Sequence, residues 1–124
     1  MIYKPNTLDE LKTITAQTGD ALGMPVDPAD IADVIGKINL LTMLLGTSCH
    51  AVALAERLYN IKMYYLFEKV NSKTLTATDK KLVMAGLARV EAYYVTLTER
   101  QNKAIIHSLD GLKTIANNGL SDIK

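Results

Sequence analysis

Asn71-Ser-Lys-Thr-Leu-Thr-Ala-Thr78 is a short polar stretch that separates two long segments with helical patterns. The first segment runs from about Pro28 to Val70 and the second from about Ala77 to Ala116, and neither has an internal proline. Two helices of this length in a chain of 124 residues leave no room for a sheet or a system of catalytic loops. Successive helices with a short connection pack as antiparallel neighbours. The sequence therefore predicts an all-α protein: a short N-terminal helix followed by a long antiparallel helical hairpin.

The length of the chain predicts a single domain. We assign its parts as a short helix and connector at 1–26, the first long helix at 27–71, the turn at 72–78, the second long helix at 79–118 and a tail at 119–124.

The short first helix is predicted to begin at Thr7. Thr7 and Glu10 have the spacing of a capping box, in which each side chain satisfies a free backbone N–H group of the other. Gly19 is the expected C-cap. The apolar stripe of this helix consists of Leu8, Leu11 and Ile14.

The first long helix has start signals at its N-terminal end. Asp27 is the expected cap, Pro28 suits the first helical position, and Asp30 falls in the first turn, where the helix dipole favours negative charge. Gly36 and Gly46 are the expected places for a bend. The second long helix has a weaker capping signal, in which Thr76 is followed three residues later by Asp79.

Each long helix is predicted to have a coiled-coil-like apolar seam. In the first helix the seam consists of Ile31, Ile35, Ile38, Leu45, Cys49, Val52, Tyr59, Met63, Leu66 and Val70, with Thr42 and Glu56 as polar exceptions. In the second it consists of Val83, Leu87, Val90, Tyr94, Leu97, Ile105, Leu109, Leu112 and Ala116, and it is broken at Gln101.

The middle of the first long helix is apolar on nearly all sides. No Asp, Glu, Lys or Arg occurs from Ile38 to Ala55, so this stretch must be covered by other helices, by another subunit or by lipid. Asn39, Thr42 and His50 within it favour burial between helices over a membrane span. We therefore predict a homo-oligomer without membrane contact. The expected interface residues are Leu40, Leu41, Leu44, Leu45, Val52 and Leu54.

Charge is unevenly distributed along a chain whose net charge is only +1. Residues 1–36 contain two lysines and six acidic residues, a net charge of −4. Residues 57–89 contain seven basic and two acidic residues, a net charge of +5. The basic part flanks the predicted turn, so the end of the hairpin should carry a positive field.

Aromatic residues are interleaved with this positive charge. Single-stranded nucleic acids are bound in this way, because cations follow the phosphates while rings stack on bases. The alternative is that Tyr59, Tyr64 and Tyr94 pack in the core of the hairpin while the lysines solvate its outside. The candidate nucleic-acid-binding residues are Lys62, Tyr64, Tyr65, Lys69, Lys73, Lys80 and Lys81.

Catalytic and metal-binding patterns are weak. Cys49 and His50 are adjacent, and adjacent residues on a helix point about 100° apart, which is wrong for a nucleophile and its base. Asp27, Asp30 and Asp33 are sufficiently explained as residues of a helix start. The sequence therefore predicts no catalytic residue, no metal site and no cofactor.

Four segments between residues 55 and 116 have a recognisable order of helices and residue pattern. They are Ala55-Glu-Arg-Leu-Tyr59 with Lys62, Leu66 and Lys69, Ser72-Lys-Thr-Leu-Thr-Ala-Thr-Asp-Lys-Lys81, Tyr93-Tyr94 with Leu97, and Asn102-Lys-Ala-Ile-Ile-His-Ser-Leu-Asp-Gly-Leu-Lys-Thr-Ile115. In this pattern the chain resembles small helical-hairpin proteins encoded by bacteriophages, some of which are recombination mediators. The resemblance implies an oligomeric ring and a role in loading a recombinase onto single-stranded DNA.

These observations predict a non-catalytic helical protein that acts as an accessory factor in recombination on single-stranded DNA, with single-stranded DNA or recombination proteins as partners. Two alternatives stay open, a virion structural or assembly protein and an inhibitor of a host defence system. Cys49 is the only cysteine, and the first residues lack the pattern of a secretory signal. Both observations predict the cytoplasm, which is the host cytoplasm for a phage protein.

Overall fold

The computed structural model describes residues 5–70 and 75–122, and all regular secondary structure in these residues is helical. The prediction of an all-α protein is confirmed. The four helices are α1 (Pro5–Gly23), α2 (Ile31–Lys69), α3 (Ala77–Leu87) and α4 (Arg89–Asp122).

The long helices α2 and α4 pack along most of their length, and α1 packs against both. Val34, near the start of α2, shares a buried cluster with Ala116, near the end of α4. Farther along α2, Ser48 is hydrogen-bonded to Asn102. The order of these contacts shows that α2 and α4 run antiparallel. Residues 72–74 of the predicted turn lie outside the described residues.

Three apolar clusters form the core. The first joins the beginning of α2 to the end of α4, the second joins α1 to the middle of α2 and α4, and the third joins the end of α2 to α3. Their buried members are Val34, Leu41, Ile105, Leu109, Leu112 and Ala116 in the first, Leu11, Ala51, Ala55, Leu58 and Tyr94 in the second, and Leu66, Met84 and Ala88 in the third.

Polar side chains connect the helices between the first and second clusters. Gln101 donates a hydrogen bond from Nε2 to the backbone oxygen of Thr15, at 2.9 Å. Asn102 donates from Nδ2 to Ser48 Oγ at 3.2 Å and approaches Cys49 Sγ at 3.4 Å. A side-chain amide in a partly buried site needs its partners, so these bonds favour one register of α4 against α1 and α2. The break at Gln101 in the predicted seam is therefore an interhelical contact.

Asp30, and not Asp27, caps α2. Asp30 Oδ1 accepts hydrogen bonds from the backbone nitrogens of Ala32 and Asp33, at 3.1 and 3.3 Å. Asp27 instead accepts from the backbone nitrogen of Ala29, at 2.9 Å, and its own backbone nitrogen donates to Asp33 Oδ2 at 2.8 Å. The predicted start is wrong by one turn, because the Asp27 side chain stabilises a separate turn ahead of the helix.

Replacing Asp30 with alanine should lower the free energy of unfolding by about 1 kcal/mol, because two N–H groups at the start of α2 lose their acceptor. Chemical denaturation followed by circular dichroism measures this loss. Asp30→Asn, which keeps a side-chain oxygen, should retain most of the stability. Equal losses in the two variants would contradict the assignment of the cap.

The other predicted helix ends have mixed outcomes. The start of α3 is confirmed, since Thr76 Oγ1 accepts from the backbone nitrogen of Asp79 at 3.1 Å. By contrast, α1 begins at Pro5 rather than Thr7 and continues past Gly19 to Gly23. Proline suits the first turn of a helix, where its missing N–H group costs nothing.

The second long helix is interrupted at Ala88, which separates α3 from α4 and has φ −99° and ψ 16°. The first long helix, α2, is continuous through both of the glycines where a bend was expected. Because of the break, Met84 and Ala88 face the core. The first part of the seam that was predicted for the second long helix is therefore wrong. Val83, Leu87 and Val90 are exposed.

Between Val34 and Leu58 the buried face of α2 is displaced by about one residue from the predicted seam, whereas Leu66, at its later end, is buried as predicted. Ile35 and Cys49 are exposed, whereas Val34 and Ser48 are buried. Between Val34 and Leu58, α2 packs against both α1 and α4, so its buried face lies between them and includes small residues at their contacts. The buried residues of α2 are Val34, Leu41, Ser48, Ala51, Ala55, Leu58 and Leu66.

By length and composition alone, α2 could cross a membrane. Its most apolar window of 18 residues has a mean hydropathy of 1.6, and 22% of that window is buried within the chain. A mostly buried core helix of a soluble protein and a signal sequence near an N-terminus meet the same criteria. Asn39, Thr47 and His50 are exposed on this part of α2, which gives its outer face a polar character.

Candidate nucleic-acid interface

The basic end of the molecule comprises residues 57–70, α3 and the beginning of α4, and we call it the tip. Several of its aromatic rings lie on the surface. The exposed fractions of Tyr64, Tyr65 and Phe67 are 65, 51 and 61%. Rings of this size at the surface remain available for stacking or apolar contact with a partner.

One pair of candidate residues is held together. Lys69 Nζ lies 5.5 Å from the centre of the Tyr65 ring, within the range of a cation–π contact. The two residues are four positions apart, so they lie on the same face of α2. The pair presents a positive charge beside a half-exposed ring, which is the combination that a phosphate and its base require.

A second feature of the tip is a groove of about 590 Å³ between α2 and α3, which we call the α2–α3 groove. Its walls are mostly apolar, and two lysines contribute to them. The lining residues are Tyr59, Met63, Phe67, Val70, Ala77, Lys80, Lys81, Met84 and Ala85.

The structure divides the predicted site between two faces of α2. Tyr59, Met63 and Phe67 are spaced by four residues and line the groove together. Tyr65 is two residues from Phe67, and two helical steps of 100° place it about 200° around the helix. Lys80 and Lys81 therefore lie with Phe67 on the groove side, and Lys69 lies with Tyr65 on another side.

The remaining candidates occupy different positions. Lys62 is half-buried and makes contacts within the chain. Tyr64 is exposed on the outer side of α2, beside a shallow surface formed by Ala53, Arg57 and Asn60. Lys73 lies outside the described residues.

The alternative arrangement, in which the tyrosines pack in the core, is only partly present. Tyr94 is buried, and Tyr59 is half-buried against the third cluster. Burial, together with the nearby Tyr93, raises the pKa of Tyr94. The rings of Tyr93 and Tyr94 meet edge to face, with centroids 5.1 Å apart. Tyr64 does not pack in the core.

Phe67 is the residue of the tip that sequence reasoning missed. It is the only phenylalanine of the chain and is exposed on the groove. The spacing of Phe67 could have revealed it: Phe67 follows Met63 by four residues and Tyr59 by eight, and both of these residues belong to the predicted seam. The groove itself could not be inferred, because it depends on the direction in which α3 leaves the break at Ala88.

The predicted oligomer interface is largely used inside the chain. Leu41 is fully buried in the first cluster, so its side chain is not on the surface where a second subunit could contact it. Leu44 and Leu45 pack against the same cluster, and Leu54 packs against the second. Leu40 and Val52 are half-buried. The most exposed large apolar side chain in this part of α2 is Met43, at 76%.

The remaining reactive side chains are dispersed. Cys49 is exposed, and His50 Nε2 lies 3.5 Å from Glu10 Oε1 in a solvent-exposed pair that links α2 to α1. Such an exposed pair contributes little to stability. Within residues 5–70 and 75–122, no group of three His, Cys, Asp or Glu side chains could hold a metal ion.

Comparison with known proteins gives no relative: no protein-family model, curated protein or solved structure matches this chain.

Proposed function

We propose that this protein is a non-catalytic, self-associating helical protein that binds single-stranded nucleic acid at its tip, in the manner of a phage accessory factor in recombination. The observation that carries the proposal is the contact between Lys69 and the half-exposed ring of Tyr65, with Tyr64 exposed on the adjacent face of α2. An aromatic ring stacks on any base, and a lysine beside it meets the adjoining phosphate, so this surface is suited to single strands of varied sequence.

Charge supports the same assignment. Arg57, Lys69 and Arg89 are exposed at the tip in addition to the two lysines of the groove. The acidic residues Glu68 and Asp79 offset only part of this charge. The tip therefore keeps a net positive charge, which attracts the phosphates of a nucleic acid.

A binding titration tests this function directly. A fluorescent single-stranded oligonucleotide should bind the protein at low salt and bind it more weakly as salt rises, because phosphate neutralisation releases counterions. The double variant Tyr65→Ala/Lys69→Ala should bind at least about tenfold more weakly, since one stacked base alone contributes about 1–3 kcal/mol. The slope of log affinity against log salt should also fall by about 0.7, for one lost phosphate contact.

The matched control is Lys103→Ala/Lys113→Ala, which removes two exposed positive charges from α4 away from the tip. It should leave the affinity within about twofold, because binding depends on the tip and not on total charge. Absence of binding by the parent protein at low salt would refute nucleic-acid binding. Equal losses in the two double variants would refute its assignment to Tyr65 and Lys69.

A role as a virion structural or assembly protein is the second candidate. Leu82 and Leu87 on α3 are exposed, and aliphatic side chains are suited to a protein partner rather than to bases and phosphates. Under this alternative the tip would bind another protein, and the titration would show no binding of the oligonucleotide.

A further inference from the structure

The two charged regions of the chain lie at opposite ends of the molecule. Asp20, Asp27, Asp30 and Asp33 are exposed around the end of α1 and the beginning of α2, and we call this region the acidic end. The helix α2 has 39 residues, so its two ends are about 58 Å apart. The Debye length in physiological salt is only about 8 Å. Opposite charges at the two ends therefore cannot compensate each other within one molecule.

The acidic end has apolar groups among its carboxylates. Met24 and Ile35 are exposed there. Lys37 adds one positive charge to this end, and its ammonium group donates to the backbone oxygens of Leu22 and Met24. The hydrogen bonds of Asp27 and Asp30 to the backbone use Oδ1 of each side chain. Oδ2 of each therefore stays able to accept a hydrogen bond from a cation of another molecule.

The α2–α3 groove has the complementary composition. Met63, Met84 and Phe67 give it an apolar lining, and Lys80 and Lys81 add two positive charges. Methionine side chains adapt to apolar groups of irregular shape. An occupant that combines apolar side chains with carboxylates fits both the lining and the charges.

We propose that the α2–α3 groove of one copy of this protein receives the acidic end of a second copy. Met24 and Ile35 of the second copy fill the apolar part, and its carboxylates pair with Lys80 and Lys81. The contact joins two different surfaces of the same chain. It does not depend on nucleic-acid binding, because Tyr65 and Lys69 lie on another side of α2.

Charge reversal tests this contact. Lys80→Glu/Lys81→Glu reverses the groove. Asp20→Lys/Asp27→Lys changes the charge of the acidic end, with Lys37 included, from −3 to +1 without touching the Asp30 cap. The protein, freed of nucleic acid, is studied by sedimentation velocity over a concentration series at low and high salt. The parent should self-associate at low salt and dissociate as salt rises, whereas each variant alone should associate at least about tenfold more weakly, because like charges then face each other.

The decisive sample is an equimolar mixture of the two variants. Each reversed surface then meets a surface of opposite sign, so the mixture should regain association, and this rescue shows that both variants are folded. A parent that stays monomeric at several hundred micromolar would overturn the proposal, and so would a mixture that stays as dissociated as its components. Full association of either variant alone would also overturn it, by assigning self-association to another surface.

Discussion

Leu41→Ala should lower the free energy of unfolding by about 3–4 kcal/mol, which corresponds to a fall in melting temperature on the order of 10 °C. Leu41 is fully buried and packs in one cluster with Ile105 and Leu109. Truncation removes apolar contacts and leaves a cavity between two long helices that cannot easily close. Thermal and chemical denaturation followed by circular dichroism give both quantities.

Met43→Ala is the matched control, because Met43 lies two residues away on the same helix and is 76% exposed. Its effect should stay within about 0.5 kcal/mol. If Leu41→Ala changed only the association of subunits and left the stability of the monomer intact, Leu41 would belong to an interface and the assignment to the core would be wrong.

The double variant Gly46→Ala/Gly111→Ala should be more stable than the parent by about 1–2 kcal/mol. Both glycines lie inside helices, where alanine is favoured over glycine by about 0.5–1 kcal/mol at each position. A Cβ atom at either position meets no atom within 4 Å, so the gain is not offset by a clash. Chemical denaturation measures the difference.

Gly119→Ala provides the contrast. A Cβ atom there would overlap Ile31 Cδ1 and lie 3.1 Å from Ile31 Cγ1, so the Ile31 side chain must leave its present position to admit it. This variant should show no gain in stability, although alanine is again the better helix former. A gain as large as that at Gly46 would mean that α4 does not approach Ile31 in this way.

The fold class and several local features could be predicted because they depend on short-range patterns. Thr76 and Asp79 have the spacing of a cap, and the structure shows the hydrogen bond between them. The apolar stripe of α1 and the later part of the seam of α4 also follow their periodicity, as the burial of Leu11, Ile105 and Leu109 shows. Each of these features depends on residues within a few turns of one helix.

The register of the core could not be predicted in the same way. Ser48, Ala51 and Ala55 are buried where α2 meets its neighbours, but small residues contribute little to a pattern based on large apolar side chains. The break at Ala88 has no proline near it, and Gly86, two residues before it, is no stronger a signal than Gly36 and Gly46, through which α2 is continuous. The sequence pattern predicts an unbroken helix in which Leu87 belongs to the seam. Such a helix would have no separate α3 and therefore no groove between α2 and α3.

The sequence indicates which types of residue the candidate site contains, but it does not indicate how they are arranged. The sequence places basic and aromatic residues at the tip, but the exposure of Tyr64 and Tyr65 depends on which face of α2 the other helices cover. The same geometry places Lys69 on one surface and Lys80 and Lys81 on another, although these three lysines are close to one another in the sequence. Only the packing of α3 reveals this division.

Crosslinking to a single-stranded oligonucleotide that contains a halogenated uracil tests the central claim most directly, because the irradiated base reacts with an aromatic ring stacked on it. After digestion with trypsin, the crosslinked mass should appear on the peptide Met63–Lys69, which contains Tyr64, Tyr65 and Phe67. In Tyr65→Ala/Lys69→Ala the cleavage site at residue 69 is gone and the corresponding peptide runs from Met63 to Lys73. The crosslinked mass should be absent from that longer peptide, and it should be retained on Met63–Lys69 in Lys103→Ala/Lys113→Ala. Crosslinks confined to peptides outside residues 57–94, or none above background at low salt, would contradict the proposal that the tip binds single-stranded nucleic acid.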